Sequence, residues 1–326
     1  MIYYIESRQT DPYRNLALEQ YVFDHLSRDN SYFMLWQNNN SIIVGKHQNT
    51  REEINGAFVK EHGINVARRL SGGGAVYHDL GNLNFTFITD SIGSIDFTFF
   101  CKPISAALNS LGVPVEISGR NDMTVDGMKF SGNAQYIKQG RVMHHGTILY
   151  DSDLSILSMA LNPGEDKIES RGIKSIQSRV TNIRPYMKTD MDMDDFWAVL
   201  KDHFKPMEDY VLGAEQNSAI DDLRDKVYAQ WSWNYGSSPP HTLRKIRRIP
   251  GCGKIEILLD IGREGRISNI AFYGDFFSSL EIADLSKMLT GHKLEYKEIS
   301  TVLEDIDISQ FFNALKKDSF LNLLLE

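Results

Sequence analysis

Cysteine is nearly missing from this chain: two in 326 residues, Cys101 and Cys252, far apart and in no C-x-x-C arrangement. That excludes a C-x-x-C metal site and leads us to expect a reduced, cytoplasmic setting. Long apolar runs are missing too. None approaches the roughly 20 residues a membrane helix needs, so no membrane span is expected. The first residues, MIYYIESRQTDPYRN, lack the basic-then-apolar pattern of a secretory signal, and none is expected. Internal repeats and low-complexity tracts are absent. Positive charge is in deficit, 35 Lys and Arg against 43 Asp and Glu, a net −8. Affinity for phosphate backbones comes mostly from clustered Lys and Arg, so nucleic acid is not an expected partner.

What is present is an ordinary globular composition, 42% hydrophobic and 24% charged. At roughly 100–200 residues per domain, the length predicts two domains. DPYRNLALEQYVFDHL predicts a helix with Asp11 as cap, Pro12 in the first turn, and Leu18, Tyr21, Val22, His25 and Leu26 on one face. YFMLW and SIIVG read as strands paired across QNNN. Residues 51–62 read as a helix stopping at Gly63, and residues 96–111 as one ending at Gly112. INVARR, AVYHD, LNFTFI and RVMHHGTILYD are strand-like. Asp126-Gly127 predicts a hairpin turn, and LSILSMAL a short helix. Residues 164–184 are polar and basic without clean periodicity, and helical stretches are expected near 191–204 and 216–229. WNYGSSPPH, at 233–241, reads as a linker, followed by two strands, KIEILLDI and RISNIAFYG. The order of elements predicts an α+β fold, with a domain at 1–245 and a smaller one at 246–326.

The positive charge is local. Arg68, Arg69, Lys129, His144, His145, Arg171, Lys174, Arg179 and Arg184 lie in or near glycine-rich segments, which points to a confined anionic ligand. In RRLSGGGAVYH (68–78), glycines let a group touch the backbone and successive N–H groups can cradle an anion. The pattern is neither GxxxxGK[ST] nor GxGxxG. In GRNDMTVDGMKFSGNAQ (119–135), a hairpin carries Lys129 with small residues beyond it, and Asn121-Asp122 stands on the other arm. Asp122 is a candidate ligand for Mg²⁺. Adjacent His144 and His145 point to opposite faces of a strand, so a joint metal site is not expected. Cys101 reads as a buried helix residue and Cys252 lies past the linker, so neither is read as a nucleophile.

RRLSGGGAVYHDLGN, GRNDMTVDGMKFSGNAQ, HHGTILYD, GIKSIQSRVTN and WSWNYGSSP, in that order, resemble the lipoate–protein ligases of the A type, a family related in fold to biotin–protein ligases. The resemblance runs across nearly the whole chain. It implies a mixed-sheet catalytic domain with a small α/β C-terminal accessory domain. It also implies a two-step reaction. Lipoate and MgATP would give lipoyl-AMP, and the lipoyl group would pass to a lysine of a lipoyl domain. Such domains belong to 2-oxoacid dehydrogenase subunits and to the glycine-cleavage carrier protein. On the same basis Lys129 is the expected catalytic lysine. Arg69, Ser71, Gly72, Gly73, Gly74, Ala75, Val76, Tyr77, Asn121, Asp122, Gly132, His145, Lys174 and Arg179 are the expected nucleotide and lipoate site, with 164–180 as its covering loop. A monomer is expected. The alternative within the fold is an ATP-independent octanoyl or lipoyl transferase, which uses a cysteine nucleophile.

Overall fold

The protein, described here from a computed structural model, is defined at residues 1–90, 96–118, 121–161, 180–236, 243–262 and 265–325. Strand β1 (Ile2–Ser7) leads into α1 (Pro12–His25), whose start is set by the Asp11 carboxylate accepting the Tyr13 N–H. The chain continues through β2 (Ser31–Trp36), β3 (Ser41–Val44), α2 (Thr50–Glu53), α3 (Gly56–Glu61), β4 (Asn65–Arg68), β5 (Val76–His78) and β6 (Asn82–Asp90). Then come α4 (Phe97–Ser110), β7 (Glu116–Ser118), β8 (Asp122–Val125), β9 (Met128–Lys138), β10 (Arg141–Leu149) and α5 (Leu154–Ala160). Helix α6 (Met193–His203), the short β11 (Glu208–Asp209), α7 (Ala214–Leu223) and the single-turn α8 (Trp231–Tyr235) follow.

One mixed sheet runs β11-β1-β2-β6-β10-β9-β8-β7 and is parallel only at β11-β1-β2; a smaller sheet runs β4-β3-β5. Side chains alternate across the large sheet. Phe33, Leu35 and Phe85 face α4 and α6, in a core with Cys101, Ile104, Phe196 and Trp197. Met34 and Trp36 face α1, α7 and the small sheet, in a core with Ala17, Ile43 and Ile220. Asp126 and Gly127 both have positive φ, 50° and 72°, as a tight hairpin turn requires, and so they join β8 to β9.

A third sheet, β12 (Leu243–Ile249), β13 (Gly253–Ile261) and β14 (Ile267–Gly274), is antiparallel and carries α9 (Ile282–Leu289), α10 (Tyr296–Val302) and α11 (Lys317–Leu325). It has its own core, including Cys252, Ile257, Leu285, Phe312 and Phe320. The result is the expected α+β fold with a small C-terminal domain.

Several expectations need correction. β2 and β3 do not pair: β1 and β6 already occupy both edges of β2, so β3 turns into the small sheet. The helix expected over 51–62 breaks at Ile54, whose extended backbone buries it among β3 and β4 residues, and Asn55 caps a new helix. His25 is exposed, while Leu16 and Glu19 on other sides of α1 are buried. Strand β12 was not expected; it is a charge-rich edge strand, mostly exposed. The first part of the expected linker is α8, held by buried Asn234. Arg171, Lys174 and Arg179 lie outside the described residues, as does most of 164–184.

Candidate active site

A cavity of about 250 Å³ opens on the face of the large sheet that α1 and the small sheet cover. Its floor can be read from the strand register. Trp36, Asn84 and Thr147 stand opposite one another on β2, β6 and β10. Beside them run Thr86, His145 and Ala134. At the β9 end stand Lys129 and Gly132 with Asn121 and Asp122; at the β2 end stand Trp36 and Leu16. The segment Gly73–Val76 forms one wall.

Lys129 is held by the hairpin. Its Nζ lies 2.7 Å from Asp122 Oδ1, both side chains about a third exposed. Gly132 leaves room for the lysine tail: a Cβ there would stand 3.0 Å from Nζ. On the other edge, Val180 bridges to Lys129, and the Thr181 N–H donates to the Lys129 carbonyl at 2.9 Å. The lysine is thus anchored by backbone on both sides, with its ammonium in a partly exposed ion pair with Asp122. Asn121 and Asn133 are locked together, the Asn133 N–H donating to the Asn121 carbonyl and Asn121 Nδ2 to the Asn133 carbonyl.

The two arginines are not open to solvent. Arg68 donates to the carbonyls of Gly45, Lys46, Gln48, Trp233 and Asn234 and to Thr50. It therefore ties the loop after β3 to α8. Arg69 donates Nε to Ser71, Nη1 to the Ile43 carbonyl, and Nη2 to the carbonyls of Gly72 and Gly74. Three of its five N–H groups therefore hold the glycine segment in shape, and a fourth anchors it to β3. Burial pushes both guanidinium groups down to about 10. Arg69 lines the cavity as expected of a site residue, while most of its N–H groups already have partners within the protein.

Behind the loop lies a buried polar chain. Trp36 donates to Thr86, Thr86 to Glu19, and His145 Nδ1 sits 2.9 Å from Glu19. His145 Nε2 lies 2.6 Å from Ser71 Oγ, which accepts from Arg69. His145 thus links α1 to the glycine loop. His144 points the other way, bonded to Gln135 and Asn133 and stacked on Phe100, and burial holds it well below the usual histidine range.

Of the expected residues, Arg69, Gly73, Gly74, Ala75, Val76, Asn121, Asp122, Lys129, Gly132 and His145 line the cavity. Ser71 sits behind it. Tyr77 is buried against β3, with its hydroxyl on Asn40. Gly72 faces the C-terminal domain: a Cβ would strike the Phe276 carbonyl oxygen, and Gly73 is closed in by the Phe277 ring. The glycine segment therefore serves two contacts, the cavity and the docked domain. Lys46 pairs with Glu281 at 2.8 Å and His47 stacks on Phe276, completing that dock.

The sequence reading missed Leu16, Glu19, Trp36, His78, Asn84, Thr147 and Asp275. One signal was available. In NLNFTF the polar residues Asn82, Asn84 and Thr86 alternate as on a solvated face, yet all three are buried. Cys101 lies in the core on the opposite face of the sheet, with burial pushing its thiol up to about 12, and Cys252 lies in the C-terminal core. Neither can act in this cavity. Among the described residues no three His, Cys, Asp or Glu are grouped to hold a metal, and no helix is long and apolar enough to cross a membrane.

A cavity with a lysine at the β9 end and Leu16 and Trp36 at the β2 end can take an acyl chain carrying a polar head. Comparison with known proteins agrees. The family model for the lipoyl protein ligase A/B catalytic domain matches residues 11–205, and that for the bacterial lipoate protein ligase C-terminus matches 238–324. The chain is 42% identical to the lipoate-protein ligase LplJ of Bacillus subtilis (strain 168), over 99% of this chain and 100% of that one. It is 40% identical to lipoate–protein ligase 1 of Staphylococcus aureus (strain Mu50), over 97% of each. Among solved structures, P. falciparum LipL1 in complex with lipoate superposes with a TM-score of 0.79 at 25% identity, covering 100% of this chain and 98% of that one. A lipoate-protein ligase A bound with ATP gives 0.61 at 25% identity, covering 72% and 98%. The chain belongs to the lipoate–protein ligase family.

Proposed function

We propose that this protein is an ATP-dependent lipoate–protein ligase, which activates lipoate as lipoyl-AMP and passes the lipoyl group to a lysine of a carrier domain. The carrying observation is the cavity itself, with Lys129 at the β9 end and Leu16, Trp36, Ile43 and Val76 giving an apolar course away from it. The names of its relatives support the substrate. In the first step the Lys129 ammonium offsets repulsion between carboxylate and phosphate. In the second it stabilises charge building on the carbonyl oxygen and the departing AMP. A preorganised donor of this kind is worth roughly 10²–10³ in rate. The carbonyl groups of Gly72 and Gly74 are turned inward onto Arg69, which keeps them from repelling a phosphate.

Mg²⁺ takes one or two carboxylates together with substrate phosphates. Asp122, at the polar end of the cavity, offers one such carboxylate and would hold the ion. When bound, the ion neutralises phosphate charge. The carrier is a lipoyl domain of a 2-oxoacid dehydrogenase complex or the glycine-cleavage carrier protein; the lipoylation system of Thermoplasma acidophilum, a bi-partite lipoate protein ligase and its E2 lipoyl domain, supports this class. We place the protein in the cytoplasm as a monomer, divided near residue 245 into catalytic and accessory domains. Lipoate-dependent exchange of pyrophosphate into ATP tests the function: an acyl-enzyme thioester without such exchange would replace the ligase by the transferase.

A further inference from the structure

The end of the cavity remote from Lys129 carries a feature that an apolar tail does not need. His78 is 3% exposed and lines the cavity, its ring edge-on to Trp36 at 6.3 Å. Its tautomer follows from a chain of bonds. Asn15 Nδ2 donates to the carbonyls of Gln9 and Gln37, which can only accept, and to Asn38 Oδ1. That leaves Asn38 Nδ2 as the donor to His78 Nδ1, at 3.1 Å. With Nδ1 accepting, a neutral ring carries its proton on Nε2. The ring is neutral, since burial holds it down at about 3. Yet Nε2 finds no partner among the described residues. Asn84, 2% exposed and also lining the cavity, bonds to Asn82 through its oxygen, and its Nδ2 likewise has no partner there.

The register places this pair. Asn84 stands on β6 opposite Trp36 of β2, and only β10 lies between β6 and β9, the Lys129 strand. Two strand spacings separate Asn84 from β9, about 10 Å, and His78 lies beyond it, edge-on to Trp36. An acyl chain activated at Lys129 therefore lays its far end against two buried N–H donors.

We propose that His78 and Asn84 read the far end of the acyl chain, favouring one that carries an acceptor such as sulfur over a plain alkyl chain. This deepens the ligase reading and rests on it. A saturated chain such as octanoate would leave both donors buried and unpaired. The sulfur atoms of lipoate are weak acceptors but acceptors nonetheless. A site built to hydrogen-bond a group rejects the analogue lacking it.

The test measures kcat/KM for pyrophosphate release with lipoate and with octanoate. The proteins are wild type, His78→Leu, His78→Gln and Asn84→Leu, each checked for folding by circular dichroism. Wild type should favour lipoate by about tenfold, the scale of one modest buried hydrogen bond. His78→Leu should bring the ratio near one, chiefly by raising KM for lipoate. His78→Gln, whose amide nitrogen can stand where Nε2 stood, should keep most of the preference. A wild-type ratio near one, or an unchanged ratio in folded His78→Leu, overturns the proposal. If His78→Leu does not fold, the wild-type ratio and Asn84→Leu decide. If neither acid supports pyrophosphate release, the ligase reading fails and the selectivity falls with it; release with both acids at equal efficiency sinks the selectivity alone.

Discussion

Lys129 and Asp122 form a surface pair, and such pairs contribute about 0–1 kcal/mol. Its disruption should therefore separate stability from activity. Lys129→Ala should leave the melting temperature within a degree or two while lipoate-dependent pyrophosphate release falls roughly 10²–10³-fold. Release near the wild-type rate would remove the lysine from the chemistry. Arg69 should behave in the opposite way. It is buried and holds three carbonyls and Ser71, so Arg69→Ala leaves several buried acceptors unpaired, each costing about 1–3 kcal/mol. We expect lower stability and comparable losses of lipoate and nucleotide affinity by calorimetry. Arg69→Lys should not restore either, because one ammonium cannot reproduce a planar fork. Selective loss of nucleotide binding alone would return Arg69 to the phosphate.

The glycine segment is where elements meet. Gly73 has φ 90° and donates its N–H toward the Phe276 carbonyl, while Phe277 packs with Phe97 and Ala134. The C-terminal domain thus rests on the loop that walls the cavity, and the loop's small residues make that approach possible. Gly72→Ala should push the Phe276 carbonyl away and undock residues 274–281, leaving the large sheet intact. Limited proteolysis and hydrogen exchange should show faster cleavage and exchange in that segment than in β6 or β10. Unchanged exchange at 274–281 would mean that the dock tolerates a methyl group there.

For the whole molecule, buried histidines set a pH dependence. His47 and His78 are held down at about 3 by burial, and His144 well below its ordinary 6.5. Each would take up a proton near 6.5 in the unfolded chain but not in the fold. Stability from His47 and His78 is therefore complete above about 6.5 and is lost as pH falls toward 3, and His144 acts in the same direction. Each costs roughly 1.4 kcal/mol per pH unit within that window. Denaturant titrations should show stability dropping between pH 6.5 and 5, before most carboxylates titrate, with a shallower slope in His78→Gln. A flat profile there would show that these rings are hydrated in the native protein.

Local chemistry was enough to read much of this molecule. Asp11 and Pro12 start a helix, Asp126-Gly127 makes a turn, and alternation marks β6, because each depends on neighbours close in the chain. The motifs around Arg69 and Lys129 also lay open as segments, together with the family they resemble. What the chain could not show by itself is pairing. Apolar β2 has no polar face to declare which side meets the cavity, and β3 left it for another sheet because both its edges were filled. Asn84 and His78 read as strand polarity until the sheet and α1 closed over them. Arg69 stands beside three glycines in the sequence, and only the fold brings the carbonyls of Ile43, Gly72 and Gly74 around it. Hydrogen-bond partners and buried faces are set by residues tens of positions apart, so only the tertiary structure decided which charges face a ligand and which hold the fold.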